Sequence, residues 1–136
     1  MHHPPIKLLK WAPLVALALG CQRAPELETW PVQGTVVDQS GARLTSGAVR
    51  FFANAEKHAA DPHLITVGPI NSDGSFSVRT HRQGFTYDGA VAGVYRVLVM
   101  TDKTTSDGQK VPVEFELPET RTVERRENKL DMTIRR

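Results

Sequence analysis

The 136-residue chain has one cysteine, two tyrosines and two tryptophans, and it lacks an apolar run long enough to cross a bilayer. A lone cysteine excludes an intramolecular disulfide, so the fold must depend on its hydrophobic core. Acidic residues are absent from the first 20 positions. Lys7 and Lys10 in that stretch account for the excess of 17 basic over 15 acidic residues, which leaves the rest of the chain electrically balanced. The balance removes any electrostatic case for nucleic-acid binding. No Gly-x-Ser-x-Gly elbow and no phosphate-cradling glycine motif is present, and no histidine follows His81. These absences exclude the commonest routes to catalysis, and the sequence predicts a protein that is not an enzyme and needs no cofactor and no metal.

What is present begins with an address. Lys7 and Lys10 precede an apolar stretch from Trp11 to Leu19, and a small residue, Gly20, comes before Cys21. This is the three-part pattern of an export signal. The stretch is too short to span a hydrocarbon core of roughly 30 Å, which needs about 20 apolar residues in a helix. The run Leu17-Ala18-Leu19-Gly20-Cys21 resembles the lipobox of bacterial lipoproteins, with Ala18 where leucine is commonest. The resemblance implies removal of residues 1–20, lipid attachment at Cys21 and an extracytoplasmic protein anchored to a bacterial membrane of the cell envelope. Acyl chains at about 0.8 kcal/mol per buried methylene would hold it there. Residues 21–29, polar and containing Pro25, read as a tether, and residues 30–136 as one domain.

Within that domain apolar residues recur at every second position, and glycine-containing turns interrupt them roughly every 8 to 15 residues. Strands are expected at Pro31–Val37, Ala48–Ala53, Leu64–Val67, Ser75–Thr80, Val94–Met100, Val111–Leu117 and Asn128–Arg135. Val49, Phe51 and Ala53 share one face with Arg50 opposite, and Phe52 breaks that pattern. Asn71-Ser72-Asp73-Gly74 reads as a hairpin turn, since the later acid of a calcium loop is missing. Val94–Met100 is the most apolar strand of the chain and rich in β-branched residues, which predicts a central strand covered on both faces, with Tyr95, Val97 and Val99 in the core. Pro112 cannot donate to a ladder, so Val111–Leu117 is an edge strand or an ordered loop. About seven strands without helical periodicity predict an all-β, two-sheet sandwich with Greek-key connections.

The series Val32-Gln33-Gly34-Thr35-Val36, Gly47-Ala48-Val49-Arg50-Phe51, Asp73-Gly74-Ser75-Phe76 and Asp88-Gly89-Ala90-Val91-Ala92-Gly93-Val94-Tyr95-Arg96-Val97 resembles the transthyretin-like, carboxypeptidase-regulatory-like domains. More narrowly, it is similar to small lipoproteins abundant in planctomycete-type bacteria. The resemblance implies a prealbumin-like β-sandwich used as an accessory or adhesion module. Transthyretin-like folds also include purine-degradation hydrolases, which carry set histidines and a Tyr-Arg-Gly-Ser-type tail. This chain has Thr133-Ile134-Arg135-Arg136 in that place, so the hydrolase residues do not carry over.

Tyr95, just after the Gly93 turn, is placed to form a tyrosine corner with backbone near Gly89 to Val91. His58, Asp61 and His63 are metal-capable side chains in one loop, read as a solvated loop because a stiff fourth ligand is lacking. Glu119 to Lys129 mixes both charge signs, as a protected edge does. The function expected is a non-catalytic, lipid-anchored structural or protein-interaction module. The alternative is a small-ligand or glycan-binding module, with Trp30, Phe85 and Tyr87 as its candidate surface. Its partners would be the membrane, through Cys21, and an envelope protein or a glycan.

Overall fold

The computed structural model describes residues 25–54 and 64–135. The predicted signal peptide, Cys21, His58, Asp61 and His63 lie outside the described residues. The described residues contain no helix and form two sheets packed as a β-sandwich. In chain order the strands are β1 (Val32–Asp38), β2 (Ala48–Ala53), β3 (Ile65–Pro69), β4 (Ser75–Ser77), β5 (Arg79–Arg82), β6 (Phe85–Asp88), β7 (Gly93–Thr104), β8 (Lys110–Glu116), β9 (Arg121–Val123), β10 (Asn128–Lys129) and β11 (Met132–Ile134). The larger sheet has the order β6-β5-β3-β2-β7-β8, and β9 also pairs with β7. In the smaller sheet β1 pairs antiparallel with β4 and parallel with β10 and β11.

The period-two pattern of the sequence fixes which side chains meet between the sheets. Val49 and Phe51 of β2 face inward with Tyr95, Val97 and Val99 of β7, and Val32, Val36, Phe76, Met132 and Ile134 close the core from the smaller sheet. The ring of Phe51 meets Tyr95 edge-on at 5.7 Å. Two buried threonines join this core at no polar cost: Thr80 donates to the carbonyl of Gly89 at 2.8 Å, which leaves Thr66 as the donor in the 3.1 Å bond between their hydroxyls.

The sandwich contains more strands than the seven expected, for local reasons. The segment expected as one strand at Ser75–Thr80 changes sheets at Val78: its first part pairs with β1 and its second with β3. The buried Val78 sits at this corner, its amide donating to Val32 at 3.0 Å. The hairpin turn before it lies at 71–74, where the Asp73 carboxylate accepts from the hydroxyl and amide of Ser75 at 2.6 and 3.0 Å. Those bonds hold the Asp73 carboxyl below its usual value. β6 and β9 lie in stretches where no strand was expected. The C-terminal strand is interrupted at Leu130-Asp131, where Gly34 lets the Leu130 carbonyl approach so closely that a Cβ there would collide with it.

β7 is flanked by β2 and β8, as expected of a central strand, but the expectation that it is covered on both faces is wrong for the described residues. Its inner side chains are buried, whereas on the outer face Arg96 is exposed and Leu98 and Met100 are half-buried. The smaller sheet packs on one side only. β8 lies at the sheet edge, where Pro112 removes no needed donor.

Candidate interaction face

The Tyr95 hydroxyl donates to the carbonyl of Val91 at 2.5 Å, four residues upstream, which is tyrosine-corner geometry. Burial pushes this hydroxyl up to about 12. A neutral phenol already committed to a backbone carbonyl is a brace, with no free proton to offer a substrate.

The three aromatics predicted as a ligand surface are all half-buried. Trp30 packs against the core and exchanges backbone bonds with Ala90 at 2.8 and 2.9 Å. Tyr87 donates its hydroxyl to the Pro25 carbonyl at 2.5 Å, and Thr29 donates to Asp88 at 2.6 Å. The described part of the predicted tether, Pro25–Thr29, is therefore fastened along β6. Phe85 lies two residues from Tyr87 on the same face of β6, the face turned towards the smaller sheet. Trp30 and Tyr87 carry the chain entry.

A cleft of about 650 Å³ opens between β11 and the β8–β9 connection. Its charges compensate one another: Arg121 lies 3.6 Å from Glu119, and Asp131 is bonded to Thr35. It presents no single sign to a ligand. No cluster of metal-ligating side chains occurs among the described residues.

The outer face of the larger sheet is different. Strand pairing sets Val67, Arg50 and Leu98 in one row across β3, β2 and β7, with Arg79 and Glu116 at its ends. The adjoining rows add Ile65, Phe52 and Arg96 on one side, and Pro69, Ala48, Met100 and Glu114 on the other. The result is an apolar patch of Ile65, Val67, Phe52, Leu98 and Met100, in which Ile65 is 47% exposed. Apolar side chains gathered on an uncovered sheet face make it a candidate contact surface.

Charges around the patch are unequally satisfied. Arg79 pairs with Asp88 at 3.4 Å and Arg96 with Glu116 at 2.7 Å, both on the surface and worth little. Arg50, at the centre, has no carboxylate within pairing distance among the described residues. Its guanidinium lies over the Phe52 ring, 4.6 Å from the ring centre, a cation–π contact.

Phe52, Leu98 and Met100 were not singled out from sequence, yet each left a signal. Phe52 broke the alternation of β2, and Leu98 and Met100 made β7 apolar at positions where a one-sided sheet is polar.

No protein-family model and no curated protein matches the chain. Among solved structures, the chain is similar to the crystal structure of a candidate carbohydrate binding protein from Pseudomonas aeruginosa. The two share 16% sequence identity over 77% of this chain and 88% of that chain, with a TM-score of 0.43.

Proposed function

We propose that this chain is a non-catalytic, lipid-anchored protein of the bacterial cell envelope, a transthyretin-like module that works through protein contact at the outer face of its larger sheet. The observation that carries the contact reading is that β7 sets Leu98 and Met100 on its outer face, between the exposed Arg96 and Asp102, where the described residues provide no covering layer. The anchoring reading is supported by the export pattern ending at Cys21. Pro25 is held to Tyr87, so Cys21 is four residues from a fixed point of the domain. Four residues span at most about 14 Å, so a lipid at Cys21 would keep the domain close to the bilayer, with the β6 end nearest.

Fractionation of a lipoprotein-competent host tests both parts. Wild type is expected to stay with carbonate-washed membranes and Cys21→Ser to leave them. Leu98→Glu is expected to remain membrane-bound while losing protein cross-links formed from the outer face. A Cys21→Ser chain that stays with the washed membranes contradicts the lipid anchor, and a Leu98→Glu chain with unchanged cross-links contradicts the contact face.

A further inference from the structure

Among the described residues β8 pairs with β7 alone, so its other side is an open row of backbone groups at the edge of the larger sheet. Which residues point that way follows from the ladder. At its two ends the Leu117 amide donates to the Val97 carbonyl at 3.0 Å and the Thr105 amide to the Gln109 carbonyl at 2.8 Å. Bonded pairs alternate with unbonded ones, so Val111, Val113 and Phe115 bond to β7, and the backbones of Lys110, Pro112, Glu114 and Glu116 face outward. Charge is divided along the same strand. Lys110 stands at one end and Glu114 and Glu116 at the other, and neither Lys110 nor Glu114 has a charged partner among the described residues. Glu116 accepts from Arg96 through Oε1, which leaves Oε2. On the inner side Val111 is 41% exposed, where the hairpin runs on past the last pairing with β2 at Met100.

We propose that this edge is taken by β8 of a second copy of the chain, antiparallel, about a two-fold axis through Val113, so that the two larger sheets become one. The edge is separate from the outer face, so the inference goes beyond the contact reading and does not rest on it. Val113 is the middle of β8, and an axis there pairs the whole strand with itself. Lys110 then lies opposite the partner's Glu116, with the partner's Glu114 diagonal to it, and symmetry repeats the set. These end residues exchange both backbone bonds, and the Glu114 amide donates to the carbonyl of the partner's Pro112. On the inner side Val111 lies against the partner's Phe115, and Val113 against the partner's Val113, in the closer, unbonded pairs. Neighbouring registers fail. An axis at Pro112 sets it opposite the partner's Pro112, neither with an amide hydrogen, and an axis at Glu114 opposes two carboxylates. An axis between residues turns outward-facing positions against inward-facing ones. Pro112 and the charges that guard the edge against arbitrary strands thus admit this one self-pairing.

The test uses the full-length chain in membranes, carrying Val113→Cys or, as a control, Lys110→Cys, and oxidised with diamide. Directly opposed unbonded residues lie about 4.5 Å apart at Cα, within reach of a disulfide, whereas the two copies of Lys110 stand at opposite ends of the paired strands. A disulfide-linked dimer that wild type does not give is expected from Val113→Cys and not from Lys110→Cys. In the Val113→Cys chain, Lys110→Glu should lower the yield about tenfold, equivalent to about 1.4 kcal/mol. Glu114→Pro, which removes an amide hydrogen that β7 does not use, should lower it as well. Pro112→Ala, which supplies a donor for the carbonyl of the partner's Glu114, should raise it. No dimer beyond wild type from a folded Val113→Cys chain, equal dimer from both positions, or a yield that Lys110→Glu leaves unchanged overturns the proposal. A Val113→Cys product joined only to a different protein overturns the second copy. Should Val113→Cys fail to fold, sedimentation of the Cys21→Ser chain decides. Dimer mass that Glu114→Pro reduces to monomer supports the proposal, and monomer mass, or a dimer that Glu114→Pro leaves intact, overturns it.

Discussion

The carboxylate of Asp131 takes the place of a ladder carbonyl for Thr35, 96 residues earlier: its Oδ1 accepts the Thr35 amide at 3.1 Å and the Thr35 hydroxyl at 3.0 Å. β10 and β11 stay in one register with β1 on either side of this point, with Val32 opposite Asn128 and Val36 opposite Met132. One side chain thus bridges an interruption in the strand that closes the smaller sheet. Asp131→Ala should cost about 1–2 kcal/mol, because a backbone donor loses its acceptor. Asp131→Asn keeps an oxygen there and should cost less. Urea unfolding midpoints read the difference, and equal costs for the two changes would contradict this role.

Gly34 and Gly41 separate two reasons for glycine. At Gly34 a Cβ would collide with the Leu130 carbonyl, so Gly34→Ala must push the smaller sheet apart and should cost roughly 2–4 kcal/mol. At Gly41, φ is 84° but a Cβ would meet nothing within 4 Å, so Gly41→Ala should cost only about 1 kcal/mol of backbone strain. Thermal unfolding of the pair tests the order, which would be reversed if backbone angle outweighed packing.

Asn128 is the polar hub of the 124–128 turn. Its Nδ2 lies within bonding distance of the carbonyls of Pro31, Glu124 and Arg126, at 3.2, 3.0 and 2.7 Å, and its Oδ1 accepts the Glu124 amide at 2.8 Å. The side chain is buried, so Asn128→Leu strands several backbone groups and should cost about 2–4 kcal/mol. Amide exchange at Glu124 should quicken in the variant. Unchanged exchange there would show that the turn does not depend on Asn128.

Tyr95 predicts a pH dependence. Its hydroxyl is pushed from 10.0 up to about 12 by burial, so between those values the native chain keeps a proton that the unfolded chain releases. Stability from this group is therefore complete below pH 10 and declines as pH rises towards 12. Tyr95→Phe should remove that part of the alkaline slope and also lower stability at neutral pH by about 1 kcal/mol, since the bond to Val91 is lost. Phenolate absorbance of the folded chain shows whether Tyr95 ionises late; ionisation near pH 10 would contradict the burial assigned to it.

The long strands were legible because alternation over six or more residues fixes a face. β2 matched its expected bounds, and the inward set of Tyr95, Val97 and Val99 is the one that the period-two pattern indicates. β6 and β9 were illegible because three or four residues place only one or two side chains on a face, too few to show a period. The change of sheet at Val78 and the interruption at Asp131 leave no trace in hydropathy, since both depend on which strand lies alongside. The contact face was half legible. The sequence shows apolar Leu98 and Met100 on the second face of β7, beside Arg96, but it carries no information on what covers that face, and so the outer face was read as interior.

Intact mass and detergent-phase partitioning of the chain from membranes of a lipoprotein-competent host, compared with Cys21→Ser, test the central claim of a lipid-tethered envelope module most directly. The expected wild-type chain begins at Cys21, carries the added mass of acyl chains and enters the detergent phase, while Cys21→Ser shows neither the added mass nor the partitioning. A wild-type chain of unmodified mass in the aqueous phase would contradict the anchor and leave a freely secreted sandwich domain in its place.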